Sequence, residues 1–109
     1  MTTVSYTSEV NILAKTVKVE WAGLSAGDEG QPFDCTGLRL ASIQATGDFG
    51  SGGNVYLHAS DEITPTNFGR WQKIEHVSIG DVDFTMFGAI KPVADANIAN
   101  AGVALLFAR

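Results

Sequence analysis

The sequence predicts an all-β fold, a β-sandwich or jelly-roll-like barrel of about seven to eight short antiparallel strands. Three observations predict it. Short runs alternate apolar and polar residues with a period of two, as in Thr16–Trp21 and Asn54–Ser60. The 12 glycines gather between those runs, where turns belong. Few stretches keep the 3.6-residue apolar period over the length that a stable helix needs. At 109 residues the chain has the size of one domain, large enough to build a core without disulfides or a metal.

Taken in order, Met1–Asn11 is polar with isolated apolar residues and reads as an arm or an edge segment, with the single β domain running from residue 12 to 109. Thr16–Trp21 places Val17, Val19 and Trp21 on one face and Thr16, Lys18 and Glu20 on the other. Ala22–Thr36 is a long turn-rich loop with a short extended piece near Phe33. Leu38–Thr46 is a strand whose apolar phase switches near Ala41–Ser42, the mark of a bulge or of burial on both faces. Gly47–Gly53 reads as the tip of a hairpin that leads into Asn54–Ser60, with Val55, Leu57 and Ala59 inward. Asp61–Gly69 is a loop and Trp71–Val77 is extended. In Asp81–Gly88, Val82, Phe84 and Met86 alternate with Asp83, Thr85 and Phe87. Ala89–Val93 continues the sheet, and Pro92 places it at an edge or a strand end. Ala94–Gly102 is a small-residue loop with room for a brief helical turn at Ala94–Ala101, and Val103–Phe107 closes the chain as a strand covered on both faces.

Composition narrows the partners. Seven basic residues against twelve acidic ones give a net charge of −5, and no two basic residues are adjacent, so no nucleic-acid partner is expected. Met1–Glu9 lacks the basic start and apolar middle of a signal peptide, and the run Val103–Ala108 is too short to span a bilayer. A soluble product made in a cytoplasm, without membrane contact, is the expectation. The lone Cys35 allows no intramolecular disulfide; it leaves open a bridge between chains, against the simpler role of a small half-buried apolar side chain.

No motif supplies a catalytic constellation. Gly23-Leu24-Ser25-Ala26-Gly27 matches the letters of a nucleophile elbow, but Asp28–Pro32 is a poor start for the helix that such an elbow requires. The glycines 47, 50, 52 and 53 lack the Lys-Ser/Thr pair of a phosphate loop, and a strand follows them. His58 near Asp61 and Glu62 has ligand-like spacing, yet polar residues at a strand end produce the same pattern without a metal. His76 beside Glu75, and Asp81 with Asp83, flank nothing recognisable. No catalytic residue, metal or cofactor is expected, and the chain is read as a non-enzyme. Among the aromatics Trp21, Tyr56, Trp71 and Phe87, the pair Tyr56 and Trp71 are candidate surface rings able to stack on sugars, against the commoner roles of core or interface filling.

The stretch Ser42–Asp61, with Thr46-Gly47-Asp48-Phe49-Gly50-Ser51-Gly52-Gly53 at its centre and Trp71 downstream, resembles a pattern in small virion proteins of tailed bacteriophages. Ile90-Lys91-Pro92-Val93 and the last strand Gly102–Arg109 are similar to the same pattern, so that the resemblance covers the chain from about Leu38 to its end. The chain departs from it in Ala59 before Ser60, in Lys91 for an arginine, and in a longer 61–68 loop. Within that group it is most similar to capsid decoration (cement) proteins. The resemblance implies a virion location on the capsid surface, the major capsid protein as partner, and a homo-oligomer, with a trimer as the suggested stoichiometry. A tail or head–tail junction protein of the same fold and a carbohydrate-binding module are the alternatives. Val4, Tyr6, Val10 and Ile12, the spaced apolar residues of the polar N-terminal stretch, are the expected capsid or subunit contacts.

Overall fold

The computed structural model describes residues 2–61, 67–76 and 78–109, with backbone alone at 78–79 and 81–85. Among the described residues there are eleven strands and no helix: β1 (Thr3–Val4), β2 (Tyr6–Asn11), β3 (Thr16–Leu24), β4 (Glu29–Gly30), β5 (Phe33–Asp34), β6 (Arg39–Asp48), β7 (Val55–Ser60), β8 (Gly69–Ile74), β9 (Ser78–Thr85), β10 (Ala89–Ala94) and β11 (Asn100–Ala108). They form a β-sandwich. One sheet has the order β1-β4-β10-β7-β8, with β5 also beside β10; the other has the order β2-β3-β11-β6-β9. Eight strands have six or more residues. The other three have two residues each, too few to leave an alternating signature in the sequence. Pairing is antiparallel apart from β1 with β4.

The core lies between the sheets, where Val17, Val19, Trp21, Leu40, Ile43, Val103, Leu105 and Phe107 meet Val55, Leu57, Ile90 and Ile74. Strand β3 runs three residues beyond the expected end, because an extra residue at Ala22–Gly23 opposite Gly102 forms a bulge that turns Leu24 back into the core. The phase switch at Ala41–Ser42 is also a bulge: Leu40 pairs with Phe107 and Ser42 with Leu106, which leaves Ala41 as the extra residue. In β11, Val103, Leu105 and Phe107 face the core while Leu106 reaches solvent, so the outer face is covered only in part.

Three expectations are corrected. Gly47–Gly53 is not a hairpin tip: β6 pairs with β11 and β9, whereas β7 pairs with β10 and β8, so the segment carries the chain from one sheet to the other. Buried Phe49 and Ile98 fill that crossing. Gly47 and Gly50 have φ of 100° and 67°, and a Cβ at either would run into the carbonyl oxygens of Asn100 and Asn97. Glycine is required there by the neighbouring turn, not by a hairpin. Pro92 is not at a sheet edge: β10 is paired along β7, and on its other side Pro92 falls between the β5 contact at Ile90 and the β4 contact at Val93. The ring, which lacks an N–H, occupies the break between two short partners. Ala94–Ala101 holds no helix: its ends belong to β10 and β11, and between them residues 95–99 turn, with the Asp95 carboxylate accepting from the Asn54 and Asn97 amides at 2.8 and 2.9 Å.

The N-terminal segment is paired. Strand β2 is the edge of the five-stranded sheet, in register with β3 from Tyr6↔Trp21 to Asn11↔Thr16, and β1 adds to β4 of the opposite sheet. The segment therefore bridges both layers. Asp28 anchors its start, accepting from the Thr2 and Ser25 amides at 3.1 and 2.9 Å, while the Gln31 amide donates to the Val4 carbonyl at 2.7 Å.

Candidate functional site

Sequence placed the candidate contacts together on one polar stretch, and the structure divides them. Val4 and Tyr6 are half-buried against the core. The Tyr6 ring stands edge-on to Trp21 at 6.0 Å and to Phe33 at 5.3 Å, and Phe33 continues the series to Phe107 at 5.4 Å. Trp21 in turn donates its indole N–H to the Gln31 carbonyl at 3.0 Å. Val10 and Ile12 are 55% and 80% exposed, and between them and β3 lies Leu13, 98% exposed, which sequence reasoning missed.

The β2–β3 turn that carries Ile12 and Leu13 is built to hold its shape. The Asn11 side chain accepts from the Ala14 amide at 2.9 Å, the Lys15 amide donates to the Ile12 carbonyl at 3.3 Å, and Lys15 adopts φ 56°. The Arg109 amide donates to the Lys15 carbonyl at 2.9 Å, tying the tip to the last strand. An Asn followed by two aliphatic residues and then a strand was the signal available for this tip.

Register brings a second feature to the same end of the sandwich. Asn11, Thr16, Ala108 and Arg39 lie side by side, and Leu40 pairs with Thr85, so β9 ends near the level of the tip. Beyond it a shallow depression of about 330 Å³ is lined by Thr36, Gly37, Asp61, Met86, Phe87 and Gly88. Met86 is 56% exposed and Phe87 is half-buried, both just past the end of β9 at Thr85. The alternating side chains Val82, Asp83, Phe84 and Thr85 lie outside the described residues, as does Glu62. Beneath the depression Cys35 is fully buried, with its thiol on the Phe87 carbonyl at 3.4 Å. Burial, and then the charge of Asp34, pushes its pKa up to about 11, which disfavours the nucleophilic thiolate and fits a small apolar packing role.

The outer face of the six-stranded sheet holds the other cluster. Lys91 Nζ reaches Glu29 Oε1 at 2.7 Å and lies 4.6 Å from the centre of the Phe68 ring. Thus Lys91 serves as a cross-strand ion-pair partner of Glu29. The Arg70 guanidinium covers the Tyr56 ring at 3.8 Å. His58 sits between, paired across the sheet with Lys91 and Arg70, and its Nε2 is buried without a hydrogen-bond partner among the described residues. Burial lowers its pKa below the ordinary value, and Arg70 and Lys91 push it the same way, so the ring is neutral near pH 7. Trp71 is the extra residue of a bulge in β8; it packs against the core and stands edge-on to Phe87 at 5.0 Å. Tyr56 and Trp71 thus do not form a row of open rings.

Ser25 sits in a turn between two strands, its carbonyl accepting from the Asp28 amide at 3.0 Å, rather than at the start of a helix. Among the described residues no three His, Cys, Asp or Glu side chains converge to hold a metal. Neither a family model nor a curated protein matches the chain. Its fold is similar to that of the SPBc2 prophage-derived protein YomS, whose crystal structure aligns with 91% of this chain and 96% of that one, at a TM-score of 0.61 and 13% sequence identity.

Proposed function

We propose that this chain is a non-enzymatic virion structural protein of a tailed bacteriophage that decorates and stabilises the outside of the capsid. The observation that carries the reading is the fold itself, which matches a prophage-derived protein over nearly the full length of both chains. The resemblance of Ser42–Asp61 and of the last strand to decoration proteins adds the location. Three physical features fit that role. A rigid sandwich gives a shell protein stiffness, the net charge of −5 favours solubility before assembly, and an ordered apolar tip offers a contact that water leaves unsatisfied. On this reading the major capsid protein is the partner, the chain self-associates on the shell, and no cofactor takes part. The sugar-binding alternative asks for open aromatic faces, and Tyr56 lies under Arg70 while Trp71 turns to the core.

Co-sedimentation tests the proposal. Purified protein is added to capsids lacking it and, separately, to isolated tails. Saturable binding to capsids alone is expected. Binding to tails alone moves the protein to the tail or the junction, and binding to neither overturns the virion role.

A further inference from the structure

We propose that two copies of this chain associate end to end about a two-fold axis, the Ile12–Leu13 tip of each seated in the Met86–Phe87 depression of the other. The inference rests on the self-association half of the reading above and not on what the assembly docks onto. Of the five large hydrophobic side chains exposed among the described residues, Val10, Ile12, Leu13 and Met86 lie at this one end, and Leu106 stands on the outer face of β11, two residues from it. Single exposed hydrophobics are ordinary on a soluble surface; four at one end of a small sandwich are not.

The tip and the depression are complementary in shape and charge. The tip is a convex pair of aliphatic side chains on a turn already fixed by Asn11 and Lys15, so seating it loses little conformational freedom. The depression is concave, with Met86 as an adaptable apolar wall and exposed Gly37 leaving backbone open to contact. Exposed Lys15 stands at the base of the tip and exposed Asp61 on the rim of the depression, opposite charges that fix the register when the two meet.

Their placement selects the symmetry. They flank opposite edges of the five-stranded sheet, about 19 Å apart by four strand spacings of about 4.8 Å. Both lie at the same end, so a tip cannot enter the depression of its own chain, and a copy stacked in the same orientation presents its other end. A two-fold axis across the end makes each tip meet the other copy's depression, and both contacts form together. The complex closes at two. A trimer, the stoichiometry suggested by the resemblance, would need tip and depression on adjoining flanks.

Sedimentation velocity on the full chain, at up to about 100 μM so that a micromolar contact is populated, reads the assembly. A dimer is expected. Leu13→Glu and Met86→Glu, both at exposed positions and so compatible with folding, should each weaken association by roughly thirtyfold or more, the size of an interface hot spot. Each variant alone should be monomeric, whereas an equimolar mixture should regain a dimer, because one intact tip then meets one intact depression. A monomeric or trimeric wild type, or a mixture that stays monomeric, overturns the proposal. Loss of capsid binding in Leu13→Glu, with a wild type that is monomeric in solution, assigns the tip to the shell protein and overturns it too. A wild-type dimer that fails to bind capsids leaves this interface standing and removes the capsid reading instead.

Discussion

Replacing Tyr6 by alanine separates a docked N-terminal strand from a free arm. In the structure the ring is half-buried and edge-on to both Trp21 and Phe33. Half of a tyrosine's roughly 200 Å² is about 100 Å² of surface, and at about 25 cal/mol per Å² its loss costs about 2.5 kcal/mol. That area is an upper bound, because the unfolded chain already hides some of it, while the two ring contacts add back a comparable amount. With an unfolding entropy of about 2.1 cal/mol/K per residue, a loss of about 2.5 kcal/mol lowers Tm by roughly 10 °C in a domain of this size. Differential scanning calorimetry reads the shift, and Val10→Ala, at an exposed position of the same strand, is the control that should move Tm by only a degree or two. If Tyr6→Ala leaves Tm as unchanged as the control does, the segment is not docked in solution and the strand assignment fails.

Two further outcomes follow from single sites. Gly30→Ala puts a Cβ into the Pro92 ring, within 2.6 Å of its Cγ, and 2.7 Å from Trp21 Cδ1, where neither buried ring has room to move; chemical denaturation should show a loss of about 1–3 kcal/mol. His58 is held neutral in the fold, its pKa lowered, so the unfolded chain binds the proton more readily. The stability this contributes is present above the unfolded pKa of about 6.5 and is lost as pH falls from there through the folded value. A denaturation series from pH 7.5 to 4.5 should therefore show a flatter profile for His58→Gln than for the wild type, and parallel profiles would remove the histidine from the account.

Much of the fold was legible because period-two alternation survives wherever one face of a strand is buried. Val17, Val19 and Trp21, and then Val55, Leu57 and Ala59, point inward as their spacing requires. The bulge at Ala41 was visible for the same reason, since an extra residue flips the phase. Pairing was not legible. Glycine-rich Gly47–Gly53 suits a hairpin and a sheet-to-sheet crossing equally well, and the choice was made by β11 and β10, strands far downstream in the sequence that claim β6 and β7 for different sheets. The two-residue strands β1, β4 and β5 exist only because such long-range partners hold them. Of the candidate surface, Val10 and Ile12 were found as isolated apolar residues in a polar stretch. Leu13 and Met86 were not, because exposure at a turn or past a strand end is set by tertiary position rather than by pattern. Tyr6 has the same sequence signature as Val10, and only the neighbouring Phe33 and Trp21 draw it inward.

The most direct test of the account is a cryo-EM reconstruction of the particle that carries this protein, at a resolution that separates strands. The account predicts density for the two-sheet sandwich on the outer surface of the head, in contact with the major capsid protein. Density for it only in the tail or the head–tail junction, or its absence from the purified particle, would contradict the decoration role.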